Sequence, residues 1–232
     1  MAIPEAQVVH RALDGRRYQL SGPLDLSAPV TSVAELSISG RRYEFTAGGA
    51  GLGDDVIEAL GAEYDEELSY SGGALSTVRT RPYDPKIRLR EDRLTGVWRG
   101  RGFSFFCHMY HATSTDLIGV LREVKIREYD DGLAITPYRP HEFAGPATLA
   151  KEVPGLGLLE ISPLTPQHTA QLPTWRGLST QAGELFSDEL SDGSPYFLLA
   201  GADTWVTVLP LHDTAVDQVP ELVGQLRLRT AA

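Results

Sequence analysis

The chain has 232 residues, of which 42% are hydrophobic and 22% charged, values ordinary for a folded globular protein and far from the disordered range. Its formal net charge of −10 opposes broad binding to nucleic acid, because phosphate contacts need clustered cations. No stretch approaches the roughly 18 consecutive apolar residues that span a bilayer. The first residues lack the apolar run of a secretory signal, and the lone Cys107 can form no internal disulfide. We therefore expect a cytoplasmic protein that is not inserted in a membrane.

The N-terminal part of the chain predicts strands joined by tight turns. Leu36 and Ile38, and then Tyr43 and Phe45, alternate with polar residues on either side of Ser39-Gly40. A period of two residues indicates strands, and the step between them suits a two-residue hairpin.

A glycine-rich loop at residues 48–53 leads into a segment whose apolar residues, between 56 and 68, recur at helical spacing. Strand, loop and helix together resemble a phosphate cradle, but neither G-x-G-x-x-G nor G-K-S/T is present. Asp54 and Asp55 would stand in the first helical turn, where carboxylates favour the helix dipole and repel a phosphate. We expect a capped helix rather than a nucleotide site.

Beyond a proline-bracketed turn at Pro82–Pro85, alternation again predicts strands. The predicted strands are 86–91, 96–112, 117–129, 132–138, 156–162 and 195–211. Helices are predicted at 146–153 and after Asp217, with 182–190 as a further helical candidate.

These elements predict a mainly β (α+β) protein, an antiparallel β-barrel or sandwich with a few flanking helices. Residues 1–232 form one β-rich unit in the simplest arrangement. A split at the proline-bracketed turn would instead give a small α+β unit of residues 1–84 and a barrel-like unit of residues 85–232.

The stretch LTGVWRGRGFSFF, in which Gly96 and Trp98 open a strand, resembles the G-x-W element of calycin β-barrels such as lipocalins and nitrobindin-like proteins. The resemblance is confined to residues 94–106 and stands mid-chain, whereas lipocalins carry the element near their N-terminus. It implies a barrel whose floor is closed by Trp98 and whose interior holds an apolar ligand.

The segment FSFFCHMYHATSTD, residues 103–116, concentrates chemically distinctive side chains. As a strand it directs His108 and Tyr110 to one side, and the opposite face is apolar with a polar tip: Phe105, Cys107, Met109 and His111. Such a face suits the wall of a small-molecule pocket, with Trp98 and Trp205 as further ligand-binding residues.

A metal site is the competing interpretation of the same segment. Cys107 and His111 share a strand face and would need a third ligand from His141, His168 or His212. Zinc and iron sites require three or four donors in a fixed geometry, which this spacing does not indicate. A cysteine among phenylalanines is typical of packing, so we predict no metal ligand and no cofactor.

Residues 79–101 carry eight basic and three acidic residues, a local excess of 8 − 3 = +5 in an otherwise acidic chain. The candidates to contact a carboxylate, a phosphate or an acidic partner surface are Arg88, Arg90, Arg99 and Arg101. The alternation within 86–91 is equally typical of an ordinary half-exposed strand.

The leading hypothesis is a small-molecule-binding β-barrel protein with an apolar cavity, acting as a binder or as a cofactor-independent cyclase or isomerase. In the catalytic form His111 is the acid or base and Tyr110 a second catalytic group. The alternative is a protein-interaction or assembly protein that uses the arginine-rich strand region on a protein partner or in a homo-oligomer. A metal-dependent enzyme ranks third, and neither nucleic acid nor membrane is an expected partner.

Overall fold

The computed structural model describes residues 5–86, 88–138, 141–211 and 214–231. Strands account for 51% and helices for 15% of the structure, and the large sheets are antiparallel, which confirms the predicted mainly β class. Within these residues every sheet runs from one edge strand to another without closing, so the barrel alternative of the prediction is wrong.

Most strands are short and joined by tight turns. Ser39 and Gly40, which link two of them, have positive φ angles of 52° and 77°, as a type I′ turn requires at both central residues. The twist of this turn matches the twist of the paired strands, and the predicted hairpin is confirmed. In chain order the strands are β1 Ala6–Arg11, β2 Arg17–Gly22, β3 Val30–Ile38, β4 Arg41–Gly49, β5 Glu66–Tyr70, β6 Gly73–Thr80, β7 Tyr83–Asp84, β8 Leu89–Arg90, β9 Arg93–Arg99, β10 Phe103–Tyr110, β11 Val124–Tyr129, β12 Gly132–Pro137, β13 Glu142–Phe143, β14 Thr148–Val153, β15 Gly157–Pro163, β16 Leu178–Ser179, β17 Glu184–Glu189, β18 Pro195–Ala200, β19 Thr204–Leu209 and β20 Arg227–Ala231.

The helices are α1 Leu52–Ala59, α2 Ser114–Arg122, α3 Pro166–Gln171 and α4 Val219–Gln225, with a 3-10 turn at Val216–Gln218. None of the helices in the described residues has the length and apolar character needed to cross a membrane. The helix expected after Asp217 is confirmed as α4. The glycine loop leads into α1 as expected, with Asp54 and Asp55 in its first turn, but no side chain caps the helix at Gly51. The helix ends at Ala59, and the chain then continues into β5.

Several predicted elements are corrected by the structure. The strands predicted at 96–112 and 195–211 each divide in two at a turn, into β9 and β10 and into β18 and β19, and the described part of 86–91 contains only the short β8. Residues 146–153 contain β14 rather than a helix, because Leu149, Lys151 and Val153 alternate onto a buried face. Residues 182–190 contain β17. The run 117–129 divides into the end of α2 and β11, because Thr113 and Asp116 form a capping box that starts a helix at Ser114.

The chain forms two compact units. The first, here called the terminal unit, comprises the described parts of 1–11, 16–30 and 148–232. It contains the strand order β1-β2-β20 and a second order β16-β17-β18-β19-β15-β14, all antiparallel.

The second, the central unit, comprises residues 12–15 and 31–147 and therefore includes the turn at 82–85. Its main sheet has the order β3-β4-β10-β9-β6-β5, with β13 paired to β3, the hairpin β11–β12 and the small pair β7–β8. Helix α1 packs on one face through Ile57, which contacts Val78 and Val97. The opposite face buries Trp98, Phe105 and Cys107.

Candidate functional site

A groove opens in the central unit where two neighbouring strands stop pairing. β4 and β10 are paired from Gly49 and Phe103 to Phe45 and Cys107. Beyond that point β4 stays paired with β3 as far as Arg41, and β10 stays paired with β9. The ends of β4 and β10 therefore diverge. Because alternate residues of an antiparallel strand direct their N–H and C=O groups to opposite neighbours, both strands present backbone hydrogen-bonding groups to the gap.

This opening, here called the His111 groove, has a volume of about 950 Å³. Helix α2 borders it, and the helix approaches the sheet because Gly96 has no side chain: a Cβ there would lie 2.3 Å from Leu117 Cδ2. The polar and aromatic residues that line the groove include Arg41, Tyr43, His108, Tyr110, His111 and Asp116.

A second concavity of about 550 Å³, here called the arginine pocket, shares His111 with the groove. Three arginines line it. Arg81 pairs with Asp92 at 2.7 Å (Nε to Oδ1), so one cation and the pocket's carboxylate neutralise each other.

The other two arginines of the pocket keep most of their hydrogen-bonding capacity. Arg79 donates through one guanidinium nitrogen to the carbonyl oxygen of Ala112 at 3.4 Å, and Arg93 donates through Nε to Thr80 Oγ1 at 3.3 Å. Neither forms an ion pair with a carboxylate among the residues that the structure describes. Arg93 is also half-buried. The pocket therefore holds positive charge that no described side chain neutralises.

His111 stands at the junction of the groove and the pocket. It follows the last residue of β10 with a φ of 52°, a left-handed conformation that histidine adopts more readily than most residues. Its backbone N–H donates to the carbonyl oxygen of Asp92 at 2.9 Å, which fixes this turn of the chain. The side chain is exposed and faces both concavities.

His108 lines the groove from the side of the sheet that carries α1. Its Nδ1 lies 2.9 Å from Thr95 Oγ1, on the neighbouring strand β9. Burial, together with the smaller effect of the nearby Arg93 guanidinium, lowers the pKa of His108 to about 4. The imidazole is therefore neutral at pH 7.

The structure separates the residues that were predicted to line one ligand cavity. Met109, Tyr110 and His111 line the groove. Trp98 and Phe105 instead stack on each other within the core at a centroid distance of 5.6 Å, and Trp98 Nε1 donates to the carbonyl oxygen of Tyr70 at 2.8 Å.

Two further predicted ligand-binding residues are also buried. Cys107 is fully buried, and burial raises the pKa of its thiol to about 12. Trp205 belongs to the terminal unit, where it stacks on His168 at 4.7 Å.

The four arginines predicted to contact an anion or a partner have different surroundings. Arg99 bridges Asp54 and Glu67 at 2.9 and 2.5 Å. Arg90 lies 5.9 Å from the centre of the Tyr83 ring, and Arg88 is exposed with a φ of 57°.

Arg101 stands at the turn between β9 and β10, where its backbone N–H donates to Glu128 at 2.9 Å. None of these four arginines lines the His111 groove or the arginine pocket.

No group of three or more His, Cys, Asp or Glu side chains within the described ranges is arranged to hold a metal ion. His141 instead pairs with Glu123 at 2.9 Å, and His168 belongs to the terminal unit. His212, another predicted candidate ligand, lies outside the described residues.

Sequence reasoning missed the two unpaired arginines and His108. Arg79 and Arg93 belong to the basic stretch 79–101, but they are 14 positions apart along the chain, and the pairing of β6 with β9, in which Arg93 lies opposite Thr80, brings both to the lining of one pocket. His108 was assigned to its correct strand face, opposite the apolar wall. Its partner Thr95 could be identified only from the register of β9 against β10.

The fold and the site define a mainly antiparallel β protein with an open, partly cationic groove. Comparison with protein-family models, with curated proteins and with solved structures found no match. The resemblance to calycin barrels stays a prediction.

Proposed function

We propose that the central unit binds a small organic molecule that carries a carboxylate or phosphate group. The observation that carries the proposal is the half-buried Arg93 guanidinium, which has no carboxylate partner within the described residues and lines one pocket together with Arg79. Partly removing a cation from water is costly unless an anion compensates. A guanidinium offers paired N–H donors that match the two oxygens of a carboxylate or phosphate.

The body of the ligand occupies the His111 groove in this proposal. Tyr43 and Tyr110 offer aromatic surface there, and the diverging ends of β4 and β10 offer backbone hydrogen bonds. His111 links the two concavities, so an anion held by Arg79 and Arg93 places the rest of the molecule beside His111 and Tyr110.

Cyclisation or isomerisation of the bound molecule is the catalytic form of the proposal, with His111 as acid or base and Tyr110 as the second polar group. Once a bound molecule is identified, conversion by wild-type protein should be abolished in His111→Ala. Undiminished conversion would remove His111 from the mechanism.

Isothermal titration calorimetry at constant ionic strength tests the binding proposal with three probes: succinate, benzoate and phenyl phosphate. We expect at least one probe to bind the wild-type protein and to bind Arg93→Gln about 10- to 100-fold more weakly, because a hydrogen bond to a charged group contributes about 1.5–3 kcal/mol. Arg176→Gln is the matched control, since Arg176 is 85% exposed and belongs to the terminal unit. Binding of no probe, or equal binding to both variants, would refute the proposal.

A second candidate function, self-association, is favoured by the exposed apolar surface of the β7–β8 hairpin. Tyr83 is 53% and Leu89 59% exposed, and Arg88 and Arg90 lie beside them. The chain's net charge of −10 gives a second copy the acidic surface that these arginines could meet. Light scattering should then show a dimer that Leu89→Ser combined with Arg90→Glu converts to a monomer. A wild-type monomer at millimolar concentration would exclude this candidate.

A further inference from the structure

The pairing of β9 with β10 sets Thr95 directly opposite His108. Thr95 is fully buried, and its Oγ1 lies 2.9 Å from Nδ1 of the imidazole. Among the described residues this nitrogen is the hydrogen-bond partner found for the Thr95 hydroxyl. If Nδ1 carried the proton, the buried hydroxyl hydrogen would be left without an acceptor, which proteins avoid. The hydroxyl therefore donates to Nδ1.

Donation to Nδ1 fixes the proton of the neutral ring on Nε2. Nε2 forms no hydrogen bond with any residue that the structure describes, and it is not a buried atom. Because the ring is held at Nδ1 by β9, Nε2 points away from Thr95, and His108 lines the groove.

We propose that His108 is a neutral hydrogen-bond donor that recognises a carbonyl or anionic oxygen of the molecule bound in the His111 groove, with Thr95 fixing its tautomer. This inference rests on the proposed function and adds to it a requirement on the ligand: an acceptor oxygen in addition to the anionic group held by Arg79 and Arg93. It also gives His108 a ligand-binding role that differs from the acid-base role proposed for His111, and it makes Thr95 a positioning residue.

Burial keeps the His108 ring neutral, and the Arg93 guanidinium on the neighbouring strand β9 disfavours a second positive charge there. Arg41 and Arg42 of β4 also line the groove. The two acids that line the groove are engaged: Asp116, in α2, by the Thr113 hydroxyl and backbone N–H, and Glu123, which follows α2, by His141. The titratable and charged groups that share the groove with His108 are Arg41, Arg42, Tyr43, Tyr110, His111, Asp116 and Glu123.

Long-range ¹H–¹⁵N NMR spectra of protein labelled at histidine test the inference, with His108→Ala used to assign the signals. In the free wild-type protein we expect His108 to show the Nε2–H tautomer at pH 7 and to remain neutral down to pH 5. Thr95→Ser keeps the hydroxyl and should preserve that tautomer. Thr95→Val has nearly the same shape without the hydroxyl and should give a mixture of tautomers.

The same spectra are then followed while succinate is added, because its second carboxylate supplies an acceptor oxygen in addition to the anionic group held by the arginines. We expect succinate to move the Nε2 signal of His108 and to bind His108→Ala at least tenfold more weakly. An Nδ1–H tautomer, a charged ring at pH 7, or bound succinate that leaves Nε2 unshifted would overturn the role of His108 alone. Binding of no probe would refute the proposed function together with the ligand contact, whereas the tautomer of the free protein would still report on the Thr95 bond.

Discussion

Glu128 holds the turn between β9 and β10 by accepting hydrogen bonds from three successive backbone N–H groups. The distances are 2.9 Å from Arg101, 2.5 Å from Gly102 and 3.2 Å from Phe103. A Cβ on Gly100 would lie 2.5 Å from the same carboxylate, so the side chain has little room to move. The Glu128→Gln variant keeps the shape of this side chain and removes its charge.

The expected loss follows from the number and kind of these bonds. A hydrogen bond to a charged group contributes about 1.5–3 kcal/mol, but Glu128 is only half-buried, and glutamine retains one accepting oxygen. We therefore expect Glu128→Gln to lower the free energy of unfolding by about 2 kcal/mol, or the melting temperature by about 4–8 °C for a chain of this size.

The effect should depend on pH in a defined direction. Burial by itself would raise the pKa of Glu128, but the three backbone N–H groups and the Arg101 charge more than offset it, and the pKa lies below its ordinary value of 4.5. A carboxylate with a lowered folded-state pKa stabilises the fold above the unfolded value and loses that contribution as pH falls through the folded value. The difference between wild type and Glu128→Gln should therefore be full at pH 7 and narrow below pH 4.5.

Guanidinium unfolding followed by circular dichroism at several pH values measures this difference. Glu160→Gln is the matched control, because Glu160 is exposed and has no hydrogen-bond partner among the described residues. The reasoning is refuted if Glu128→Gln loses no more stability than Glu160→Gln, or if the loss is the same at pH 7 and at pH 3.5.

Three further predictions concern the interior. Gly73→Ala should destabilise the fold by about 3 kcal/mol or more, because its Cβ would lie 2.3 Å from the carbonyl oxygen of Arg99. Gly49→Ala is the control, since it adds a Cβ in open space. Equal unfolding midpoints for the two variants would contradict the clash. Cys107 should be inert to a thiol reagent at pH 8 in the native protein and react fully after unfolding, and rapid native reaction would contradict its burial. Burial lowers the pKa of Lys151 in the folded protein below 10.5, the ordinary value that it keeps in the unfolded chain. Between these two pKa values the free energy of unfolding, measured with denaturant, should rise more steeply with pH in wild type than in Lys151→Met. Equal slopes in the two proteins would contradict the burial of the ammonium group.

Local patterns predicted the strands well where one face is buried. In β10 the expected alternation holds, with Phe105, Cys107 and Met109 buried and Tyr110 exposed. The Ser39-Gly40 hairpin was predictable because its turn chemistry is contained in two residues.

The errors arose where two periodicities compete. The apolar residues Leu117, Val120 and Leu121 fit a helical face, but they run directly into the alternating residues of β11, so the whole segment looked like one strand. The capping box of Thr113 and Asp116 was the local pattern that marks the helix start.

The site itself depends on long-range register, which no local pattern contains. Thr80 and Tyr110 both pair with Arg93, so the pairing of β9 with β6 on one side and with β10 on the other sets this arginine in the pocket that His111 lines. The groove exists because β4 stops pairing with β10 at Phe45. A shift of one residue in either pairing would turn these side chains to the opposite face.

The central claim, an organic anion held by Arg93, is tested most directly by native mass spectrometry of freshly purified wild-type and Arg93→Gln protein, followed by denaturation to release and identify any bound molecule. We predict one carboxylate- or phosphate-bearing molecule per chain in the wild type and none in Arg93→Gln. An empty wild-type chain, or a neutral apolar molecule retained equally by both proteins, would contradict the account.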